Sequence, residues 1–348
     1  MIDHKGTIIN LLLLLLLLLL MAANLFYGSV SIPAGQVVKA IAGMPLENDS
    51  WGYIIMESRL PQTVTAMLCG AGLATAGLLL QTSFRNSLAG PSILGITSGA
   101  SLGAALVILL LSGGFFASAA DGIGSDGNMM LGSSMSVTIG AFIGAAAVIM
   151  LLLALSRIVR GSLMLLIVGI MLSYLTSAVV SLLNFFAASE NVHSYVVWGL
   201  GSFSDVSMQQ LPWFASVCII GLAIAVTLVK PLNALLLGDD YALNLGIDIR
   251  RTHRTLLVAT GILTAICTAF CGPIAFIGLA VPHMARLVTA SANHAILLPA
   301  TMLCGASIAL LCNMICVMPE NTIIPINAVT PVFGAPVILY IICRGVRS

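Results

Sequence analysis

Ionisable side chains are rare in this sequence, and they are concentrated in one short segment. Only 7% of the 348 residues are charged, yet seven charged residues fall between Lys230 and Arg254. Within this segment, residues 235–247 have the pattern of a short helix. Asp239 can cap its first turn, and Gly246 can supply the left-handed residue that closes it. Such a helix either lies on a membrane surface or docks its apolar side chains into a groove of a soluble partner.

The residue patterns of common catalytic and cofactor sites are missing. None of the three lysines lies in a G-x-x-x-x-G-K-[ST] loop, so the chain is not expected to hydrolyse ATP by that route. The five histidines form no H-E-x-x-H motif, and no G-x-S-x-G elbow occurs. The eight cysteines include no Cys-x-x-Cys pair and are interpreted as packing residues. We therefore expect no catalytic residue, no metal site and no cofactor bound by this chain.

The composition is typical of a membrane protein. Hydrophobic residues make up 59% of the chain, and the mean hydropathy is +1.12, well beyond the range of soluble domains. A net charge of +1 gives no basic surface for nucleic acid. Because no soluble domain or long linker separates the apolar runs, residues 1–348 are predicted to form a single all-α transmembrane domain.

Ten apolar segments are candidates to cross the bilayer, which takes about 20 helical residues. They cover residues 8–27, 60–82, 92–112, 134–156, 162–188, 211–230, 252–271, 274–290, 295–317 and 329–346. Ten spans place both termini on one side, and the positive-inside rule places that side in the cytoplasm. Eleven basic residues then lie inside and only Lys39 and Arg59 outside, whereas eight acidic residues lie outside. The span at 274–290 is short, so a broken or tilted helix is expected there.

Regularly spaced glycines indicate close helix packing in lipid. Gly95, Gly99 and Gly103 repeat every fourth position, as do Gly140 and Gly144. Small residues at this spacing allow two helix backbones to approach each other. These glycines are therefore predicted to lie at helix–helix contacts.

The predicted spans carry no charged residue near their midpoints. Ion-coupled pumps and proton relays usually need such residues. A solute pathway whose driving force comes from elsewhere is therefore favoured, and the charged segment at about 232–250 is the natural place to receive that force. An ion-driven secondary transporter or channel for a small solute is kept as the alternative.

Several sequence blocks follow one another in order from about residue 59 to the carboxyl end. They are RLPQ (59–62), GAGLA (70–74), RNSLAGP (85–91), LGITSGA (94–100), WGLGS (198–202), LGDDYALNLG (237–246), GPIAFIGLAVPHMAR (272–286) and GAP (334–336). In this order and at this spacing they resemble the FecCD-type permeases. These are the membrane subunits of ABC importers for iron–siderophore, haem and cobalamin.

The resemblance implies a fold, a location and a set of partners. It implies a ten-span all-α permease that works as a homodimer, embedded in lipid, in the bacterial cytoplasmic (inner) membrane. Two ABC ATPase subunits would carry the ATP and Mg, and a periplasmic or lipid-anchored substrate-binding protein would deliver the cargo. An iron–siderophore leads as the implied cargo, followed by cobalamin and haem.

The resemblance also assigns candidate roles to residues. The ATPase-coupling segment comprises Gly238, Asp239, Asp240, Ala242, Leu243, Leu245 and Gly246. The gate of the translocation pathway comprises Asn86, Ser87 and Leu88, with Gly161 and Ser162 as a second gate. A structural signature comprises Gly272, Pro273, Gly278, Pro282, His283 and Arg286. Arg59 matches an arginine that docks the binding protein.

Two positions depart from the family pattern, and some assignments have alternatives. Ser87 stands where the gate usually has a proline, and Gln62 stands where a second basic docking residue is often found. The gate loops can equally be read as helix-end caps, and Arg59 as a membrane-interface anchor. His283 and Arg286 are interpreted as structural polar residues on the ATPase side, rather than as ligands for transported iron.

Overall fold

The described part of the chain is built from helices. The computed structural model describes residues 4–111, 129–158, 162–318 and 324–345. Its helices are α1 (His4–Phe26), α2 (Ala34–Ile41), α3 (Asp49–Tyr53), α4 (Leu60–Ser83), α5 (Ile96–Ala105), α6 (Met129–Leu155), α7 (Ser162–Phe186), α8 (Ser189–Gly199), α9 (Leu211–Thr227), α10 (Val229–Leu235), α11 (Asp239–Asn244), α12 (Ile249–Cys271), α13 (Ile277–Thr289), α14 (His294–Val317) and α15 (Ile326–Gly345). Two π-helical segments, Ile54–Arg59 and Leu106–Leu111, join α3 to α4 and extend α5.

These helices confirm a polytopic membrane protein with about ten spans. Six helices in the described ranges are long and apolar enough to cross a bilayer, and α9 with α10 makes a seventh crossing if the bent pair is one span. Three shorter apolar helices lie where further spans are predicted: Ile96–Leu110, Ile277–Thr289 and Ile326–Tyr340. Each of the ten predicted segments therefore coincides with a helix or with the bent pair.

A pronounced bend occurs in a different span from the one expected to be irregular. Helices α9 and α10 meet at 50°. Pro231 stands in the first turn of α10, where it cannot donate a backbone hydrogen bond to Thr227 in α9. The segment at 274–290 instead contains one 13-residue helix, α13, with Pro282 inside it. It is short because residues 272–276 form a connection before the helix begins.

Helix α4 lies at the centre of the bundle. It packs against α14, α12, α13 and α9, and 83% of its membrane-crossing window is buried. The corresponding windows of α1, α6 and α7 are only 17–22% buried. Their exposed leucine, methionine and aromatic side chains suit a lipid-facing or subunit-facing position. Many α4 residues are glycine, alanine or threonine, and these small side chains let several helices approach it.

Glycine residues form the close helix contacts that the sequence predicts. Gly99 and Gly103 of α5 lie against Gly144 and Gly140 of α6, so closely that a Cβ atom added to Gly103 would overlap the Gly140 carbonyl oxygen. The gap between these helices is therefore set by backbone rather than by side chains. A larger residue would force the helices apart.

Candidate functional site

The proposed gate loop, residues 84–89, is a pair of tight turns that ends α4. Arg85 adopts a left-handed conformation (φ 47°), and backbone bonds from Arg85 and Asn86 back to the last turn of α4 close the helix. The Asn86 carbonyl oxygen then accepts from the Ala89 N–H at 3.0 Å, which makes a β-turn with Ser87 and Leu88 at its corner. The Asn86 side-chain oxygen accepts from the Leu88 N–H at 2.9 Å. The turn is thus held by hydrogen bonds, with Ser87 at the corner where the sequence resemblance leads us to expect a proline.

Helix α13 holds this loop from inside the bundle. His283 Nε2 lies 2.7 Å from the carbonyl oxygen of Ser87 and donates a hydrogen bond to it. Arg286 Nη1 donates to Gln81 Oε1 at 2.9 Å, and Gln81 Nε2 donates to the Leu279 carbonyl oxygen at 3.0 Å. His283 and Arg286 therefore hold α4 and the gate loop in place, and their position on the ATPase side stays a prediction. They contact α4 and the gate loop because α13 packs against α4 over much of its length.

The other four signature residues lie in α13 or just before it, where α13 packs against α4. Gly272 has a positive φ (72°) and ends α12, and the Pro273 carbonyl oxygen accepts from the Asn327 side chain at 2.6 Å. A Cβ on Gly278 would lie 2.9 Å from the carbonyl oxygen of Leu73 in α4. Pro282 lies inside α13. The signature therefore has a clear packing role beside the gate loop.

The coupling segment has the predicted helix with a different cap. Gly238 (φ 117°) precedes α11 as its N-cap, and Gly246 (φ 79°) follows it in the predicted left-handed conformation. Asp239 is therefore the first helical residue rather than the cap. Its carboxylate accepts from Arg85 Nη2 at 2.5 Å and not from the free N–H groups of the helix.

The coupling segment presents one face to the bundle and another to solvent. Ala242 is fully buried and packs in a small apolar cluster with Leu235, so it is not available to a partner. Leu243 and Leu245 are 56% and 57% exposed, and Asp240 is exposed beside them. Exposed leucines next to a carboxylate are the surface expected of a docking helix.

Two contacts connect this segment to the end of α4. One is the ion pair between Arg85 and Asp239. The other is indirect: a 3.1 Å hydrogen bond between Ser83 Oγ and His253 Nδ1 joins α4 to the second turn of α12, the helix that directly follows the coupling segment. The coupling segment and the gate loop are therefore adjacent through side chains.

A third connection passes through α14. The His294 Nε2 atom lies 2.9 Å from Thr82 Oγ1, and the backbone N–H of His294 donates to Asn233 Oδ1 at 2.8 Å. Asn233 belongs to α10, which leads directly into the coupling segment. Sequence analysis gave Arg85, Gln81, Asn233 and His294 no role. Only the charge of Arg85, inside a matched motif and opposite in sign to Asp239, could have indicated the ion pair.

The structure describes only one residue of the second proposed gate. Gly161 lies outside the described residues. Ser162 begins α7, which follows α6 by a short connection, but its side chain is not among those described. The helix-end position of Ser162 is compatible with either a gate or a cap.

Arg59 is buried against the end of α1. It is 6% exposed, and its guanidinium donates to the carbonyl oxygens of Leu25 (2.9 Å), Phe26 (3.1 Å) and Val30. These carbonyls belong to the end of α1 and the turn beyond it, where no intrahelical donor is available. The guanidinium therefore caps α1, and docking of a binding protein through Arg59 stays a prediction.

No group of three or more metal-ligating side chains occurs within the described ranges. All eight cysteines are free, and seven of them are buried, in keeping with packing residues. The fold and the site together define a membrane permease subunit: a polytopic helical bundle with a gate-like loop and a docking helix.

Comparison with known proteins identifies the family. Residues 14–344 match the model of the FecCD transport family, and the chain belongs to that family. It is 33% identical over 325 residues to the molybdate import system permease protein MolB of Haemophilus influenzae, covering 91% of this chain and 90% of that one. It is 32% identical over 292 residues to the vitamin B12 import system permease protein BtuC of Klebsiella pneumoniae, covering 84% and 82%.

A solved structure agrees along nearly the whole chain. The fold superposes with a TM-score of 0.81, at 30% identity, on a structure described as an inward-facing conformation of a metal-chelate type ABC transporter, covering 97% of this chain and 99% of that one. This protein is therefore a multi-pass inner-membrane permease subunit of an ABC importer. Its family works with ATPase and substrate-binding partners.

Proposed function

We propose that this permease moves an iron–siderophore or a related metal chelate across the cytoplasmic membrane by alternating access. ATP binding and hydrolysis on two separate ATPase subunits would shift the coupling segment. That shift would open or close the gate formed by Asn86, Ser87 and Leu88, with Gly161 and Ser162 forming the second gate. A partner drives such a change only if it binds one permease conformation more tightly than the other.

The observation that carries the proposal is the direct contact between the coupling segment and the gate loop. Arg85 belongs to the loop and Asp239 to the first turn of α11, and their side chains form an ion pair. A partner that moves α11 therefore pulls on the loop without an intermediate element. The exposed Leu243 and Leu245 supply the apolar surface that the partner would grip.

The assembly follows the family pattern in this proposal. Two copies of the chain form a homodimer in lipid, with both termini in the cytoplasm beside the ATPases and the binding protein on the opposite side. The largely exposed apolar surface of α7, which includes Tyr174, Leu175 and Phe185, supports a subunit or pathway contact. Mass measurement of the purified permease in nanodiscs tests the dimer.

The cargo is proposed on chemical grounds. Relatives named for vitamin B12, molybdate and metal chelates show that this fold serves more than one solute. We place a ferric siderophore first, with cobalamin and haem next. Whole-ligand recognition by a binding protein suits a permease with no metal-ligating cluster in its described residues.

The test is reconstitution with the co-expressed ATPase. ATP hydrolysis and uptake of a ferric siderophore, cobalamin, haem and molybdate are measured in proteoliposomes. The double variant Asp240→Lys/Leu243→Asp should lose the ATPase or uncouple hydrolysis from uptake. Glu190→Lys, which repeats the Asp240→Lys charge reversal in the exposed first turn of α8, should retain the ATPase.

Two results would decide against this mechanism. If no ATPase co-purifies and the double variant transports normally, the coupling proposal fails and an ion-driven secondary transporter or channel must be reconsidered. If ATP drives the uptake of molybdate alone, the importer stands and the metal-chelate cargo is wrong.

A further inference from the structure

A cavity of about 580 Å³ lies at the end of the bundle opposite the gate loop. Its wall includes Gln62 at the start of α4, Phe270 at the end of α12, Asn313 in the last turns of α14 and Trp198 at the end of α8. The helical rise separates Gln62 from the gate loop by roughly 35 Å along α4. This volume is suited to a small ligand or to one arm of a larger ligand, and the coupling mechanism above does not use it.

The described lining of the cavity includes one charged side chain. Among its lining residues that the structure describes, Asp205 is the only acid, and no lysine, arginine or histidine is present. Asp205 is exposed to solvent, although partial desolvation by the surrounding protein raises the pKa of its carboxyl, and a hydrogen bond with Ser202 acts in the opposite direction. A cation placed beside this carboxyl group would favour its ionised form. The cavity therefore suits a positive ligand far better than an anion.

Arg59 and Lys39, the basic residues near this end of the bundle, do not alter the preference of the cavity for a positive ligand. The guanidinium of Arg59 is held by three carbonyl oxygens at the end of α1. Lys39 is exposed on α2, and neither residue lines the cavity. Within the described lining, a small oxyanion in this cavity would therefore face the Asp205 carboxylate with no basic side chain to pair with it.

The polar wall presents hydrogen-bond acceptors. Gln62 Nε2 donates to Ser204 Oγ at 2.8 Å and to Asn313 Oδ1 at 3.0 Å. Asn313 Nδ2 donates in turn to Asn24 Oδ1 at 2.8 Å. Because both amide hydrogens of Gln62 are engaged, its side-chain oxygen is the group that it can offer to a ligand. An ammonium ion, with three donors and no acceptor, complements such a wall.

Aromatic side chains complete the environment. Trp198, Phe203 and Phe270 line the same cavity as Asp205. An ammonium group is attracted to the face of an aromatic ring, most strongly to that of tryptophan. A carboxylate, amide oxygens and aromatic rings around one cavity are the groups that recognise an organic cation.

We propose that this cavity is a binding site for an organic ammonium group, with Asp205 as its counter-ion and Trp198 as its aromatic contact. The ammonium belongs either to the side arm of a cationic metal chelate or to a free amine. The chelate as source rests on the proposed import function, whereas the site itself does not. A cationic chelate would then be preferred over an otherwise identical neutral one.

The experiment compares two chelates that differ by one charge. Binding to the full-length permease, with its ATPase in nanodiscs and without ATP, is measured by calorimetry. The probes are ferrioxamine B, which carries a free ammonium arm, its neutral N-acetyl derivative and pentylammonium without iron. Ferrioxamine B should bind at least about tenfold more tightly than the acetylated chelate, since a charge-assisted contact is lost on acetylation.

Matched variants assign the effect to the cavity. Asp205→Asn, which keeps the side-chain size, should abolish the preference for the ammonium arm, whereas Asp205→Glu should retain it. Glu190→Gln removes an exposed carboxylate on α8 that does not line the cavity, and it should change nothing. Gel filtration confirms that each variant is folded.

Each outcome has a defined consequence. If pentylammonium binds as tightly as ferrioxamine B and Asp205→Asn abolishes both, the site stands with a free amine as its ligand. Equal binding of the two chelates, or a preference that survives Asp205→Asn, overturns the site. Because no step depends on transport, this result is independent of whether the import proposal succeeds.

Discussion

Arg85 Nη2 and Asp239 Oδ1 lie 2.5 Å apart, although 154 residues separate them in the sequence. Both side chains are about half exposed, so the pair contributes little to stability, less than about 1 kcal/mol. The ion pair matters instead for the connection between two functional segments. It joins the first turn of the coupling helix α11 to the gate loop, two residues beyond the end of α4.

Reversing one charge of this pair should uncouple transport without unfolding the protein. Arg85→Glu or Asp239→Arg replaces attraction by repulsion between the gate loop and α11. We expect ATP hydrolysis to continue while uptake falls by about tenfold or more, and the free energy of unfolding to change by less than about 1 kcal/mol. Uptake and hydrolysis are measured together in proteoliposomes.

The double variant Arg85→Glu/Asp239→Arg is the internal control. It restores an opposite-charge pair at the same place and should recover much of the uptake. If the double variant is no better than the single ones, each residue acts through other contacts, and the direct link between coupling helix and gate is wrong.

The sequence predicted the spans well because hydropathy is a local property. All ten segments coincide with helices or with the bent pair, and the spaced glycines Gly103 and Gly140 meet across α5 and α6. Gly246 likewise has the predicted left-handed conformation, which depends on the residue and its immediate neighbours. These features can be predicted from local sequence with little information about the tertiary fold.

The sequence did not predict contacts between distant segments. His283 and Ser87 are 196 residues apart, and the packing of α13 on α4 alone brings them together. Sequence analysis left Arg59 two possible roles, as a docking arginine or as a membrane-interface anchor, and neither included a contact with α1. The π-helical segment Ile54–Arg59 instead leads to a buried side chain that contacts the end of α1. Which way a polar residue at a helix end points is decided by tertiary packing.

A proline at Ser87 should be tolerated. Ser87 is the second residue of the β-turn from Asn86 to Ala89, the corner position that favours proline. Ser87→Pro keeps the carbonyl oxygen that accepts from His283 and reduces the freedom of the unfolded chain. We expect a gain of about 0.4–1 kcal/mol in stability with uptake retained. Thermal unfolding and uptake are measured beside Ser87→Gly, which should lower stability.

Loss of folding or of uptake in Ser87→Pro would show that the backbone at Ser87 has a conformation that proline cannot adopt. The hydrogen-bonded turn would then be an alternative to the family's proline turn rather than its equivalent.

Arg59→Ala should damage the fold rather than the docking of a binding protein. It removes the donors that satisfy three carbonyl oxygens at the end of α1, and unsatisfied buried acceptors should cost about 3 kcal/mol in total. Thermal unfolding in detergent measures the loss. Lys39→Ala, at an exposed basic residue on α2, should leave stability unchanged. An Arg59→Ala protein of normal stability with weakened affinity for the binding protein would restore the docking role.

Gly103→Ala should separate α5 from α6. The added Cβ would overlap the carbonyl oxygen of Gly140, and backbone at both sides of the contact leaves no flexible side chain to move away. We expect a loss of about 2 kcal/mol or more in the free energy of unfolding, measured in detergent.

Gly35→Ala is the matched control, because a Cβ at Gly35 in α2 meets nothing within 4 Å. That change should be neutral or slightly stabilising, since alanine favours a helix over glycine by about 1 kcal/mol. Equal effects of the two substitutions would mean that the α5–α6 contact is looser than this geometry requires.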